Sequence, residues 1–145
     1  MASLLVAVRY DDPRLFGRLV RLARGGSGSH TEVAVPQGDG LFWCVSSAQM
    51  DGGVRPKTMP LPASKWRLYQ TDVPAERAHD YLRRRDREGY GWWRLVRFLL
   101  PMFRPSWGGP ICTQATAEII GLPDHDSWDV RQLEAAVAWR WPRVQ

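Results

Sequence analysis

The chain alternates between two spacings of apolar residues. Residues 3–10, SLLVAVRY, are an almost unbroken apolar run of strand length, which predicts a buried strand. In DDPRLFGRLVRLARGG the spacing becomes helical, with Leu15, Leu19 and Leu22 on one face and Phe16 beside them. Asp11 or Asp12 caps this predicted helix, Pro13 fits its first turn and Gly25 ends it. The following GSGS is a flexible connection. HTEVAV (30–35) and LFWCVSS (41–47) then flank the turn PQGDG, a hairpin signal. Thr31, Val33 and Val35 alternate with Glu32 and Ala34, which predicts a half-buried sheet.

Further along, MDGGVRPK predicts a turn and a short extended piece, and KWRLYQT (65–71) another strand. VPAERAHDYLRRRDREG reads as a helix stopped by Gly89. WWRLVRFLL (92–100) is a short amphipathic helix ended by Pro101. ICTQATAEII (111–120) is a helix closed by Gly121 and Pro123, and SWDVRQLEAAVAW a last helix capped by Ser127 or Asp126. There is no repeat and no low-complexity linker, so residues 1–145 are expected to form one domain. Strand, helix, strands, helices is the order of an α+β fold, an antiparallel sheet packed by helices.

Charge and composition narrow the partners. Eighteen of the 20 basic residues are arginine, and the net charge of +5 favours an anionic surface such as a cell-wall polymer or anionic lipid. Nucleic acid is not the expected partner. Arg83, Arg84, Arg85 and Arg87 read as the solvated face of their helix. MASLLVAV lacks the basic start of a signal peptide, and no stretch reaches the roughly 20 apolar residues of a membrane span. The expectation is a protein made in the cytoplasm and, if it acts at the envelope, delivered there by another system. Three scattered histidines and two cysteines carry no zinc spacing, and no glycine-rich phosphate loop precedes a helix, so neither metal nor cofactor is expected.

One residue is out of place on propensity. In GGPICTQATAEIIGLP (108–123), Cys112 stands in or just before the first turn of its helix, where Ser, Thr, Asp or Asn would cap better. Unpaired backbone N–H groups and the helix dipole stabilise a thiolate there, and the same N–H groups can hold an oxyanion. Cys112 is therefore a candidate nucleophile, whereas Cys44, inside LFWCV, reads as a packing residue. A nucleophilic thiol needs a base. His79 lies in an arginine-rich helix and His125 in a polar loop. His30 opens a strand beside a flexible connection, with Glu32 two residues on and hence on the same strand face. Trp107, just before the thiol segment, is a candidate substrate wall.

SHTEVAVPQGDGLFWCVSSAQMDGGVRPK, GYGWW, ICTQATAEIIGLP and SWDVRQL, in that order, resemble the circularly permuted NlpC-type (YiiX-like) group of papain-like cysteine hydrolases, which includes small phage-encoded proteins. The resemblance spans residues 27 to about 133. It implies a permuted papain-like fold with Cys112 as nucleophile at a helix N-terminus and His30, earlier in the chain, as base. It also implies an amide substrate, commonly in peptidoglycan, or in other members a lipid ester or acyl chain. The chain departs from the family pattern in three places. Gln114 stands where an acid is usual, and Tyr90-Gly91-Trp92 lacks a central Asp. The residue that orients the histidine is expected on the next strand, which offers only Ser46 or Ser47, leaving Glu32 of the histidine strand as the alternative. Tyr90, Trp92, Gln114 and Trp107 are the expected substrate contacts. The expected function is a cysteine peptidase or amidase of the cell wall. The alternatives are an acyl-handling thiol enzyme, suggested by WWRLVRFLLPMF, or a binding protein with a weakened site.

Overall fold

Strand β1 (Ser3–Arg9) is buried from Leu4 to Val8, as its unbroken apolar run requires. It pairs antiparallel with β2 (His30–Gly38) on one side and β5 (Trp66–Pro74) on the other. β2 continues through a tight turn into β3 (Leu41–Ala48), and β3 pairs along its whole length with β4 (Gly53–Pro60). The result is a five-stranded antiparallel sheet in the order β4-β3-β2-β1-β5. Among the described residues three helices of eight or more residues follow: α1 (Glu76–Arg85), α2 (Cys112–Ile120) and α3 (Val130–Arg140). The protein is thus α+β. This computed structural model describes residues 2–10, 27–92 and 109–145, with Arg18, Leu22 and Arg94. The helices expected over 11–25 and 92–100, and Trp107, fall wholly or almost wholly outside the described residues.

The two faces of the sheet carry separate apolar clusters. Leu4, Val6, Val8, Val33 and Val45 face the helices, packing with Ala115, Ile119, Leu133 and Val137. Leu5, Ala7, Ala34 and Cys44 lie on the other face with Leu61, Trp66 and Leu68. The expectation of a half-buried sheet at β2 is therefore corrected. Thr31 to Ala34 are all buried, so the alternation of Glu32 and Ala34 with Thr31 and Val33 separates two covered faces.

Two further expectations are refined. The short extended piece after Met50 is the full eight-residue strand β4, in which Pro56 and Pro60 are tolerated because β4 lies at the sheet edge. The cap of α3 is Asp129, whose Oδ1 accepts the Gln132 amide at 2.8 Å while Gln132 Oε1 accepts the Asp129 amide at 3.2 Å. Asp126 and Ser127, the expected caps, belong to a 3₁₀ turn, His125–Ser127.

Both sheet edges are partly covered. Val54 N–H donates to the Glu88 carbonyl at 2.9 Å, and Tyr90 N–H to that of Gly52 at 3.1 Å, laying residues 88–90 beside the start of β4. A side chain at Gly53, whose φ is +140°, would strike the Glu88 carbonyl. At the other edge Pro142 to Gln145 bond to Leu68 and Gln70 of β5. α2 lies against β2 and β3, and every residue of it except Glu118 is buried. Among the described residues no helix is long and apolar enough to cross a membrane.

Leu133 is fully buried between α3 and the sheet. Leu133→Ala should cost about 2–5 kcal/mol, read by urea unfolding. A loss below about 0.5 kcal/mol would contradict this packing.

Candidate active site

Cys112 is the first residue of α2. Ile111 before it is extended (φ −95°, ψ 171°), so the chain turns into the helix at the thiol. Cys112 and Thr113 have no carbonyl four residues back within the helix, which leaves their N–H groups without helical partners. The start of the helix is closed by Gln114: its Oε1 accepts the Ile111 amide at 3.0 Å, and its Nε2 donates to the Asp126 carbonyl at 3.5 Å. Gln114 is fully buried in this role. Its expected part as a substrate contact is corrected, because both ends of its amide are engaged inside the protein.

The two serines of β3 also hold backbone. Ser47 Oγ donates to the Pro110 carbonyl at 2.5 Å, tying the segment before Cys112 to the end of β3. Ser46 Oγ donates to the Thr31 carbonyl at 2.7 Å. Neither hydroxyl bonds the His30 ring, so neither is the orienter expected of it.

Glu32 is. His30 Nε2 lies 2.9 Å from Glu32 Oε1. That leaves Nδ1 as the ring nitrogen free for Cys112, and the two side chains are near enough to shift each other's ionisation, His30 up and Cys112 down. The Thr31 amide and hydroxyl also favour the thiolate. Thr31 Oγ1 is 3.0 Å from Thr116 Oγ1 on α2, and with Thr116 donating, the Thr31 proton is left for the sulfur.

Burial opposes every charge in this group, and the partners overcome it. Desolvation works against the imidazolium, but the Cys112 thiolate and the Glu32 carboxylate raise His30 to about 10. Burial likewise pushes the Cys112 thiol up, but the charge and hydrogen bond of His30 and the two donors of Thr31 bring it below the ordinary thiol value. Glu32 is held down at about 2: burial raises it, and the hydrogen bonds and charges of His30 and Arg55 outweigh that. The three shifts act together: they favour a thiolate on Cys112 and an imidazolium on His30, backed by the Glu32 carboxylate. Cys44 shows the contrast. It is buried too, but desolvation and the negative Glu32 push it up to about 12, so it stays a packing thiol, donating to the Phe42 carbonyl at 3.6 Å.

Aromatic residues surround the pair. The Trp66 ring stands edge-on to His30, centroids 6.3 Å apart. Tyr90 is half-buried, and burial together with the negative charge on Cys112 raises its hydroxyl, which keeps it protonated. Trp92 packs edge-on to Tyr90 at 5.4 Å with half its surface exposed. Gly91 between them has a packing reason: a side chain there would strike the Gly109 carbonyl, and one at Gly109 would strike that of Gly89. His79 stacks on Trp43, and His125 sits in the 3₁₀ turn. Among the described residues no cluster of three His, Cys, Asp or Glu could hold a metal.

Sequence reasoning missed Arg55, Thr31 and Trp66. Thr31 adjoins His30, so its proximity was available. Arg55 is paired with Ser46 across β3 and β4, and Trp66 with Arg9 across β1 and β5, so both depend on strand register. Compared with models of protein families, with curated proteins and with solved structures, the chain matches none.

The Glu32 carboxyl has an ordinary value of 4.5 and is held at about 2 in the fold. Its contribution to stability is therefore complete above pH 4.5 and is lost as the pH falls through about 2. In Glu32→Gln, stability measured by urea unfolding should fall less steeply over this window than in the unsubstituted protein. An identical slope would contradict the assignment.

Proposed function

We propose that the protein is a cysteine hydrolase of the permuted papain-like kind, cleaving an amide bond through Cys112 and His30. One observation carries this reading: a thiol at the mouth of a buried helix, its ionisation favoured by a neighbouring imidazole whose Nε2 is held by a carboxylate. A thiol brought below its ordinary pKa, a proton donor beside it and helix N–H groups in reach are the parts acyl transfer needs.

The Cys112 thiolate attacks the carbonyl carbon, forming a C–S bond while the carbonyl electron pair moves onto oxygen. The N–H groups at the start of α2 stabilise that oxyanion. His30 gives its Nδ1 proton to the leaving nitrogen, the C–N bond breaks, and a thioester and a free amine result. His30, now neutral, takes a proton from water as the water oxygen attacks the thioester. The C–S bond then breaks, releasing the acid and restoring the ion pair. Glu32 keeps the imidazole ring turned with Nδ1 towards the sulfur and stabilises its charge.

For the substrate we propose an amide of a cell-wall peptide. The family resemblance suggests it, and a net charge of +5 suits an anionic polymer. Tyr90, whose hydroxyl feels the charge on Cys112, and Trp92, packed on it, are the side chains we assign to contact with this substrate.

Purified peptidoglycan incubated with the protein should release new amino groups. Cys112→Ala and His30→Ala should each lower that rate by about 10³-fold or more while keeping the native circular dichroism. Release by Cys112→Ala equal to that of the unsubstituted protein would overturn the thiol as nucleophile.

A further inference from the structure

We propose that Arg55 is a positioning residue of this site: its guanidinium grips Glu32 in a two-pronged ion pair that keeps the carboxylate aimed at His30 throughout the cycle. The inference rests on the hydrolase reading and deepens it.

The geometry is that of a clamp. Arg55 Nη1 donates to Glu32 Oε2 at 2.9 Å and Nη2 donates to Oε1 at 2.8 Å. Oε1 is also the atom that meets His30 Nε2. Two parallel bonds fix the plane of the carboxylate, and that plane decides where Oε1 points. Arg55 is itself held from behind, its Nε donating to Asp51 Oδ2 at 2.6 Å, with Lys57 Nζ 3.6 Å from the other Asp51 oxygen. Ser46, opposite Arg55 on β3, is short enough to leave the guanidinium a path across that strand to β2. The Glu32 side chain is 1% exposed and that of Arg55 14%, so water does little to screen the pair.

The reaction gives the clamp its purpose. While His30 is an imidazolium, Glu32 faces a cation on its own strand. Once His30 has given its proton to the leaving group, that cation is gone. Desolvation would then favour the neutral carboxylic acid. A Glu32 that took up a proton from solvent would donate a hydrogen bond to Nε2 and so hold the ring in the tautomer protonated on Nδ1, the nitrogen that must next accept a proton from water. Arg55 removes this trap by supplying a cation that no step discharges. The other groups around Glu32 cannot do so. Cys44, facing it from β3, is a neutral thiol. Arg9, opposite His30 on β1, lies over the Trp66 ring at 5.9 Å. Cys112 from α2 can carry only negative charge, and Tyr90, which responds to that charge, is raised and stays neutral.

The test is the pH dependence of Cys112 alkylation by iodoacetamide, read on the Cys112 peptide by mass spectrometry, which needs no substrate. The unsubstituted protein should show a midpoint below that of an ordinary thiol. Arg55→Gln should raise it by about 1 pH unit or more, because a loosened or neutral Glu32 supports the imidazolium less and so the thiolate less. Arg55→Lys keeps a charge without the fork and should raise it by a smaller amount. If the glutamine variant does not fold, the lysine variant carries the test. An unchanged midpoint in either folded variant overturns the proposal and leaves the hydrolase reading standing. An ordinary-thiol midpoint in the unsubstituted protein overturns both.

Discussion

A carboxylate in the interior of a small protein must have its charge answered. Glu32 is buried on β2 between His30 and Arg55, and each answers it with a direct hydrogen bond. Removing either partner would leave a charge that the surrounding apolar cluster cannot solvate. Much of the site follows from this constraint. The imidazole turns Nε2 inward to meet the carboxylate and so presents Nδ1 to the sulfur. The thiol then has a cation beside it, which favours its ionisation. Asp51, at the outer end, completes an alternation of charge running Asp51, Arg55, Glu32, His30, Cys112.

The fold exists in the form that holds these groups in line. Glu32 and Arg55 come from strands separated by β3, which brings them together only because β2, β3 and β4 keep a fixed antiparallel register. Cys112 arrives from a helix seated on the opposite face. Ser47 on the Pro110 carbonyl and Gln114 on the Ile111 amide set where that helix begins. The glycine contacts at Gly89, Gly91 and Gly109 bring the two chain segments flanking the thiol within backbone distance of each other. Side chains that resembled altered catalytic residues are, in this chain, the fasteners of the helix start.

Local patterns were legible where the physics is local. The strand at residues 3–9, the β2–β3 hairpin and the helix at 112–120 follow from apolar spacing and turn residues. A thiol at a helix start stood out because it is a poor cap. Features decided by partners distant in the chain were not legible. Pro56 and Pro60 weakened the strand signal of β4, which its edge position then tolerated. Alternation at Glu32 and Ala34 looked like solvent exposure because nothing local says that a second face is covered. The choice among Ser46, Ser47 and Glu32 turned on which hydroxyls backbone carbonyls had already claimed. Arg55 could not be seen without the register.

The central claim is that His30 and Cys112 form an ion pair at neutral pH, so the ring itself is the place to look. The 15N chemical shifts of His30 should report a doubly protonated imidazole at pH 8 in the unsubstituted protein, persisting until the pH nears about 10. In Cys112→Ala, with the thiolate gone, the ring should lose its proton at lower pH. A His30 that titrates near 6.5 in the unsubstituted protein would contradict the ion pair and the mechanism built on it.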